Sequence, residues 1–141
     1  MERWILTAGI AAVFFGGYNL FTRLAAGRLP DIVGAFWLEF SAILGMLAYM
    51  ISIRQPLLGA GITRSGLLFA LAGGLCVAVG TALTFTVFRQ GGPLSTAGTV
   101  IQLGIVVIIT ALGVLVLNEP LSGRRLLGWG FALASIWLLA K

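Results

Sequence analysis

Histidine is absent from this 141-residue chain, and cysteine occurs once, as Cys76. A conventional zinc site needs a cluster of these residue types, so the sequence predicts no metal site. One cysteine also allows no intrachain disulfide. Without histidine there is no Ser/His/Asp set, and no phosphate-binding GxxxxGK[ST] motif occurs. We therefore expect neither an enzyme nor a cofactor.

Charge is also scarce, at 9% of residues against about 25% in a soluble domain. Hydrophobic residues make up 60% of the chain, and the mean hydropathy is +1.09. A soluble fold of this length could not hide so much apolar surface, so lipid must be its solvent. The 20 glycines agree, because small residues let membrane helices pack closely.

The net charge of +5 does not indicate nucleic-acid binding. The basic residues stand between apolar runs, where they are ordinary signals of membrane topology. The first apolar run extends from Arg3 to Thr22, which is too long for a signal peptide and has no clear cleavage site. The sequence predicts an all-α integral membrane protein, a single domain over residues 1–141 with five membrane-spanning helices at 4–24, 32–53, 65–88, 93–117 and 124–140.

Turn and cap residues set the predicted boundaries. Gly91-Gly92-Pro93 ends the third span and starts the fourth, and Pro120 ends the fourth just after Glu119. Asp31 suits the N-cap of the second span and Ser122 that of the fifth. A loop is expected over Arg54–Arg64. The fifth span is short for a membrane crossing.

Five spans place the two termini on opposite sides of the membrane. The basic residues then divide five against four, and this bias sets orientation. The near tie predicts that the chain can insert both ways and form an antiparallel homodimer. The two groups are Arg3, Arg54, Arg64, Arg124 and Arg125 on one side, and Arg23, Arg28, Arg89 and Lys141 on the other.

Glu39 is the one acidic residue inside a predicted span. An ionisable group there is expensive and suggests a proton site, a cation site or a charge pair. The alternative is that Glu39 lies near the lipid headgroups beside Trp37, or pairs with Arg23 or Arg28 across the first hairpin. If transport is proton-coupled, Glu39 is the candidate carrier.

Uncharged polar side chains also fall inside the spans. Thr96, Thr99 and Gln102 are spaced to share one helix face, and an amide such as Asn19 cannot satisfy itself in lipid. These residues either line a polar cavity or join helices by hydrogen bonds. The candidates for substrate binding are Tyr18, Asn19, Glu39, Thr84, Thr99 and Gln102.

Small residues form two stripes. The fifth span has Gly128/Ala132 and Gly130/Ala134, which are candidates either for a dimer interface or for packing within the monomer. The third span has a small-residue face made of Ala72, Gly73, Gly74, Ala78, Gly80 and Ala82.

The C-terminal hairpin resembles the second half of an EamA domain of the drug/metabolite transporter superfamily. The similar segments are FRQGGPLS at 88–95, LNEPL at 117–121 and LGWG at 127–130. Asn118 stands where this family often has glycine. The N-terminal part is similar at Phe15-Gly16 and Arg23, and Glu39 stands where an arginine is frequent.

This resemblance implies a half-size transporter, because family members commonly fuse two five-helix repeats in opposite orientations. It implies a hairpin-fixing role for Glu119 rather than a transport role. Small multidrug-resistance relatives carry an acidic residue in their first span, and this chain has none there.

The sequence predicts a transporter of small metabolites or drug-like solutes in the bacterial inner membrane, where it contacts lipid. We expect alternating access by an antiparallel homodimer, or a pair with a paralogous five-helix chain. Two alternatives are a subunit of a lipid-linked-sugar flippase, and an accessory membrane subunit with no pathway of its own.

Overall fold

The computed structural model describes residues 3–54, 62–120 and 122–139, and within them the chain forms five α-helices. A π-helical turn, Leu94–Gly98, precedes the fourth helix. No strand occurs among the described residues, which confirms the predicted all-α class. The helices are α1 Arg3–Ala25, α2 Asp31–Ser52, α3 Arg64–Arg89, α4 Thr99–Leu115 and α5 Gly123–Leu139.

Four segments of the described chain are long and apolar enough to cross a membrane: α1, α2, α3 and the continuous Leu94–Leu115. The apolar part of α5, Leu126–Leu139, is shorter, so its crossing stays a prediction. The predicted end of the fifth span at residues 140–141 lies outside the described residues. So does most of the predicted Arg54–Arg64 loop, at residues 55–61.

The chain divides into two compact units, Met1–Gln90 and Gly91–Lys141. The first unit contains α1, α2 and α3, and the second contains the π turn, α4 and α5. The boundary lies at the predicted Gly91-Gly92-Pro93 break. Gly91 has φ +96°, a left-handed conformation that glycine adopts without strain. The single domain predicted over residues 1–141 stays a prediction.

Helix α3 is the common partner in the first unit, because it packs against both α1 and α2. Its buried residues are Thr81, Thr84, Phe85 and Phe88, three and four apart and so on one face. Phe85 lies over Gly34 of α2, where an added Cβ would come within 2.5 Å of the ring atom Cε1. A side chain at Gly34 would therefore collide with the ring.

The small-residue face of α3 is exposed in the described chain except at Ala82, which is half-buried. Residues 65–80 are all exposed, because α3 contacts its partners through the C-terminal half of the helix. The small residue at the packed crossing is instead Gly34, contributed by α2. The exposed members of the predicted face are Ala72, Gly73, Gly74, Ala78 and Gly80.

The interior of the described chain is small and polar, while its surface is apolar. The buried hydrophobic residues are three alanines, Phe85 and Phe88, whereas long aliphatic and aromatic side chains are exposed on every helix. Such a large exposed apolar surface is unfavourable in water, but it is compatible with the hydrocarbon of a membrane. The structure thus supports the membrane class that the composition predicts.

The packing of Phe85 on Gly34 predicts that Gly34→Ala destabilises the protein by about 1–3 kcal/mol through overpacking. The matched control is Gly45→Ala on the same helix, where an added Cβ meets nothing within 4 Å. Both changes gain the same helix propensity, so their difference isolates the clash. Unfolding in lipid–detergent micelles measures both. Equal stabilities would show that the ring moves aside freely.

Candidate functional site

A chain of hydrogen bonds through Thr81 joins the three helices of the first unit. Tyr18 on α1 donates its hydroxyl hydrogen to Thr81 Oγ1 at 3.4 Å, and Thr81 donates to Oε1 of Glu39 on α2 at 2.7 Å. Thr81 is buried at 3% exposure, and the other two are half-buried. This series of hydrogen bonds ends at the Glu39 carboxylate, which can only accept hydrogen bonds while it is ionised.

Glu39 forms no ion pair with Arg23 or Arg28 among the described residues, which differs from the pairing alternative. Its partner is a hydroxyl group, which leaves the carboxylate without a fixed counter-charge from these arginines. An ionised carboxylate has acceptor sites beyond the one that Thr81 fills. Glu39 is therefore chemically able to take up a proton or a cation.

Three further polar side chains are buried near the Tyr18–Thr81–Glu39 hydrogen bonds. Each of them bonds to the backbone of its own helix. Asn19 Nδ2 donates to Phe15 O at 2.9 Å, while Thr22 and Thr84 each donate to the carbonyl four residues earlier at 2.8 Å. Their exposures are 7%, 0% and 8%. Asn19 and Thr84 thus satisfy themselves locally instead of joining helices.

Thr99 and Gln102 lie in the second unit, at the start of α4, and both are exposed. Thr99 donates to Ser95 O at 2.5 Å. The π turn before Thr99 interrupts the 3.6-residue period, so the predicted face does not continue back to Thr96. The structure joins Tyr18 and Glu39 through Thr81. A shared cavity with Thr99 and Gln102 stays a prediction.

A second polar cluster ties the start of α2 to the end of α3. Asp31 Oδ2 accepts a hydrogen bond from Thr86 at 2.8 Å, and Arg89 Nε lies 2.9 Å from both carboxylate oxygens. The predicted capping role of Asp31 is wrong, because the N-cap is Pro30 and it has no side-chain cap bond. The carboxylate is used between helices instead.

The turn after α4 folds back onto the helix. Glu119 N–H donates to Gly113 O at 3.0 Å, and an added Cβ on Gly113 would lie 3.4 Å from the Glu119 carboxylate. Asn118 has φ +53°, which asparagine tolerates better than most residues. This explains why asparagine can replace the glycine that is frequent in the family pattern, and the fold-back suits a hairpin-fixing Glu119.

A groove of about 630 Å³ lies beside this turn. It is aliphatic apart from Thr110 and Glu119, so we assign the candidate site to the first unit. The other residues that line it are Ile109, Leu112, Gly113, Val116 and Leu117.

The candidate dimer residues on α5 differ in burial. Ala132 is buried at 6% exposure, and Gly128, Gly130 and Ala134 are exposed. Packing within the chain already covers Ala132, which leaves the other three at the surface. A dimer contact through them stays a prediction.

Comparison with known families decides the class. The model of the EamA-like transporter family matches residues 2–141. The chain belongs to this family. This EamA protein is therefore a multi-pass membrane protein of a transporter family, as the hairpin motifs predicted. No curated protein and no solved structure matches the chain.

Sequence reasoning missed Thr81 as a site residue. Of the threonines in the third span, only Thr84 was predicted to bind substrate. The signal that separates them is tertiary: Thr81 reaches a residue 42 positions earlier, and Thr84 reaches its own helix.

The Thr86–Asp31 bond predicts that Thr86→Val destabilises the EamA protein by roughly 0.6–1.7 kcal/mol, the range for hydrogen bonds between membrane helices. The control is Thr110→Val, because the Thr110 hydroxyl bonds only to Val106 O of its own helix. Unfolding in mixed micelles compares the two. Equal destabilisation would mean that the bond between helices contributes nothing of its own.

Proposed function

We propose that this EamA protein is a secondary transporter of small metabolites or drug-like solutes, with Glu39 as its coupling group. The observation that carries the proposal is the Tyr18–Thr81–Glu39 chain. Hydrocarbon penalises an ionisable side chain, so one inside a candidate span marks a functional site by default. In this proposal the Glu39 carboxylate binds and releases a proton.

The buried polar side of the first unit supplies the wall of the proposed substrate site. Asn19 and Thr84 are buried there beside the chain of hydrogen bonds. Thr99 and Gln102 of the second unit are further proposed members. Such a set recognises small solutes with hydroxyl, amino or carbonyl groups through a few directional hydrogen bonds.

The proposed working form is an antiparallel homodimer in the bacterial inner membrane that transports by alternating access. Inverted repeats around a midplane site are a common basis of this mechanism. A five-span chain has one repeat, and two copies in opposite orientations supply the pair. The five-to-four division of basic residues supports insertion in both orientations.

The coupling role predicts that Glu39→Gln abolishes proton movement driven by solute. Proteoliposomes with an internal pH-indicator dye are challenged with amino acids, amines and nucleosides, and dye response is recorded. Glutamine keeps the shape of glutamate but carries no exchangeable charge. Glu119→Gln is the control for loss of an acidic residue elsewhere. The melting temperature of each variant is measured to check that it folds. A full response in Glu39→Gln would exclude the coupling role.

The dimer proposal predicts dual topology. With Cys76 replaced by alanine, single cysteines are placed near Met1 or after Lys141 and labelled from outside intact cells with an impermeant thiol reagent. We expect each site to be labelled in about half of the molecules. Labelling confined to one terminus would rule out the antiparallel homodimer and direct the search to an oppositely oriented partner chain.

A further inference from the structure

We infer that Thr81 is a positioning residue that favours the ionised form of Glu39 and transmits the protonation of Glu39 to Tyr18 on α1. This inference rests on the proposed coupling role of Glu39. Thr81 lies on α3, the helix that packs against both α1 and α2, and its hydroxyl contacts a side chain from each.

The Thr81 hydroxyl has one hydrogen to donate and lone pairs with which to accept. While Glu39 is ionised, its carboxylate can only accept, so Thr81 donates to Oε1 at 2.7 Å. The Thr81 oxygen then accepts the hydrogen of Tyr18. A hydrogen bond to the charged form of a carboxylate favours that form.

Protonation of Glu39 reverses these roles. When the proton binds at Oε1, the new carboxyl hydrogen can be donated to Thr81 Oγ1, and the Thr81 hydrogen turns to another acceptor. That acceptor is either the Tyr18 hydroxyl oxygen or the carbonyl four residues back, the choice that Thr84 makes with Gly80 O. Where the Thr81 hydrogen turns to Tyr18, the hydrogen bond between Tyr18 and Thr81 reverses its direction, so α1 responds to a proton bound on α2. Where it turns to the carbonyl, Thr81 Oγ1 has a second lone pair and still accepts from Tyr18.

The titratable and charged groups on the described helices around Glu39 have other partners or form no ion pair with it. Tyr18 is the titratable group that faces it from α1, and Thr81, which faces it from α3, is not titratable. Arg23 on α1 forms no ion pair with Glu39, and Arg89 on α3 is held by Asp31. Cys76 on α3 is exposed. The hydroxyl of Thr81 is thus the group that the structure shows hydrogen-bonded to the Glu39 carboxylate.

The test is a pH titration by difference infrared spectroscopy in proteoliposomes. The carbonyl stretching band of protonated Glu39 is identified as the band that Glu39→Gln loses. Thr81→Val removes the donor and keeps the side-chain shape, and we expect it to raise the midpoint by about one pH unit, a tenfold change in proton affinity. Thr81→Ser, which restores the hydroxyl, should return the midpoint to the wild-type value.

The matched control is Thr22→Val. Thr22 is also buried, at 0% exposure, but its hydroxyl bonds only to Tyr18 O on its own helix. Its midpoint should equal that of the wild type. Tyr18→Phe should raise the midpoint by less than Thr81→Val, because Tyr18 acts on Glu39 only through Thr81.

An unchanged midpoint in Thr81→Val would overturn this inference, and so would an equal shift in Thr22→Val. If Thr81→Val does not fold, an unchanged midpoint in Tyr18→Phe overturns it instead. The proposed function fails separately, when Glu39→Gln keeps its solute-driven proton movement. If Glu39→Gln loses that proton movement but Thr81→Val keeps the wild-type midpoint, the proposed function stands and only the role of Thr81 is excluded.

Discussion

Polar groups in hydrocarbon cannot form hydrogen bonds with water, so they must find partners within the protein. This requirement determines which residues are buried in the first unit. Burying apolar side chains gains little there, because lipid is as apolar as leucine. The buried positions are accordingly held by small residues, by two phenylalanines and by polar residues with partners. Asn19, Thr22 and Thr84 turn back to their own helix. Thr81, Thr86 and Arg89 reach from α3 to carboxylates on α2, and Phe85, which lies over Gly34, falls between Thr81 and Thr86 in the sequence of α3.

Most of the helical pattern could be predicted from the sequence, because apolar runs and Gly/Pro breaks are local signals. The Gly91-Gly92-Pro93 break lies at the boundary between the two units. The π turn at Leu94–Gly98 could not be predicted, since a period of 3.6 residues was assumed throughout. The packing face of α3 could not be predicted either. An exposed glycine and a glycine under a neighbouring ring look alike in sequence, and only the position of Phe85 singles out Gly34.

The candidate site was predictable in part, and for a chemical reason. Glu39 is conspicuous because carboxylates are rare inside spans. Thr81, Thr84 and Thr86 are the same residue type within six positions, yet Thr81 meets Glu39, Thr84 meets its own backbone and Thr86 meets Asp31. Rotation of α3 against its partners decides among them, and no local pattern records that rotation. The partner of Asp31 could not be predicted from local sequence either. Its position at the start of a helix suggested a cap, but its carboxylate bonds to residues of α3 instead.

The contacts of Thr81 also bear on how the protein is made. Its partners lie 63 and 42 residues earlier in the chain, so α1 and α2 emerge from the ribosome before α3 does. During that interval Glu39 has no hydroxyl donor from α3, and it must either carry a proton or stay near water. The arrival of α3 supplies the donor and lets the ionised side chain settle between helices. Biogenesis of the first unit therefore has an order, in which the helix synthesised last fixes the two that precede it.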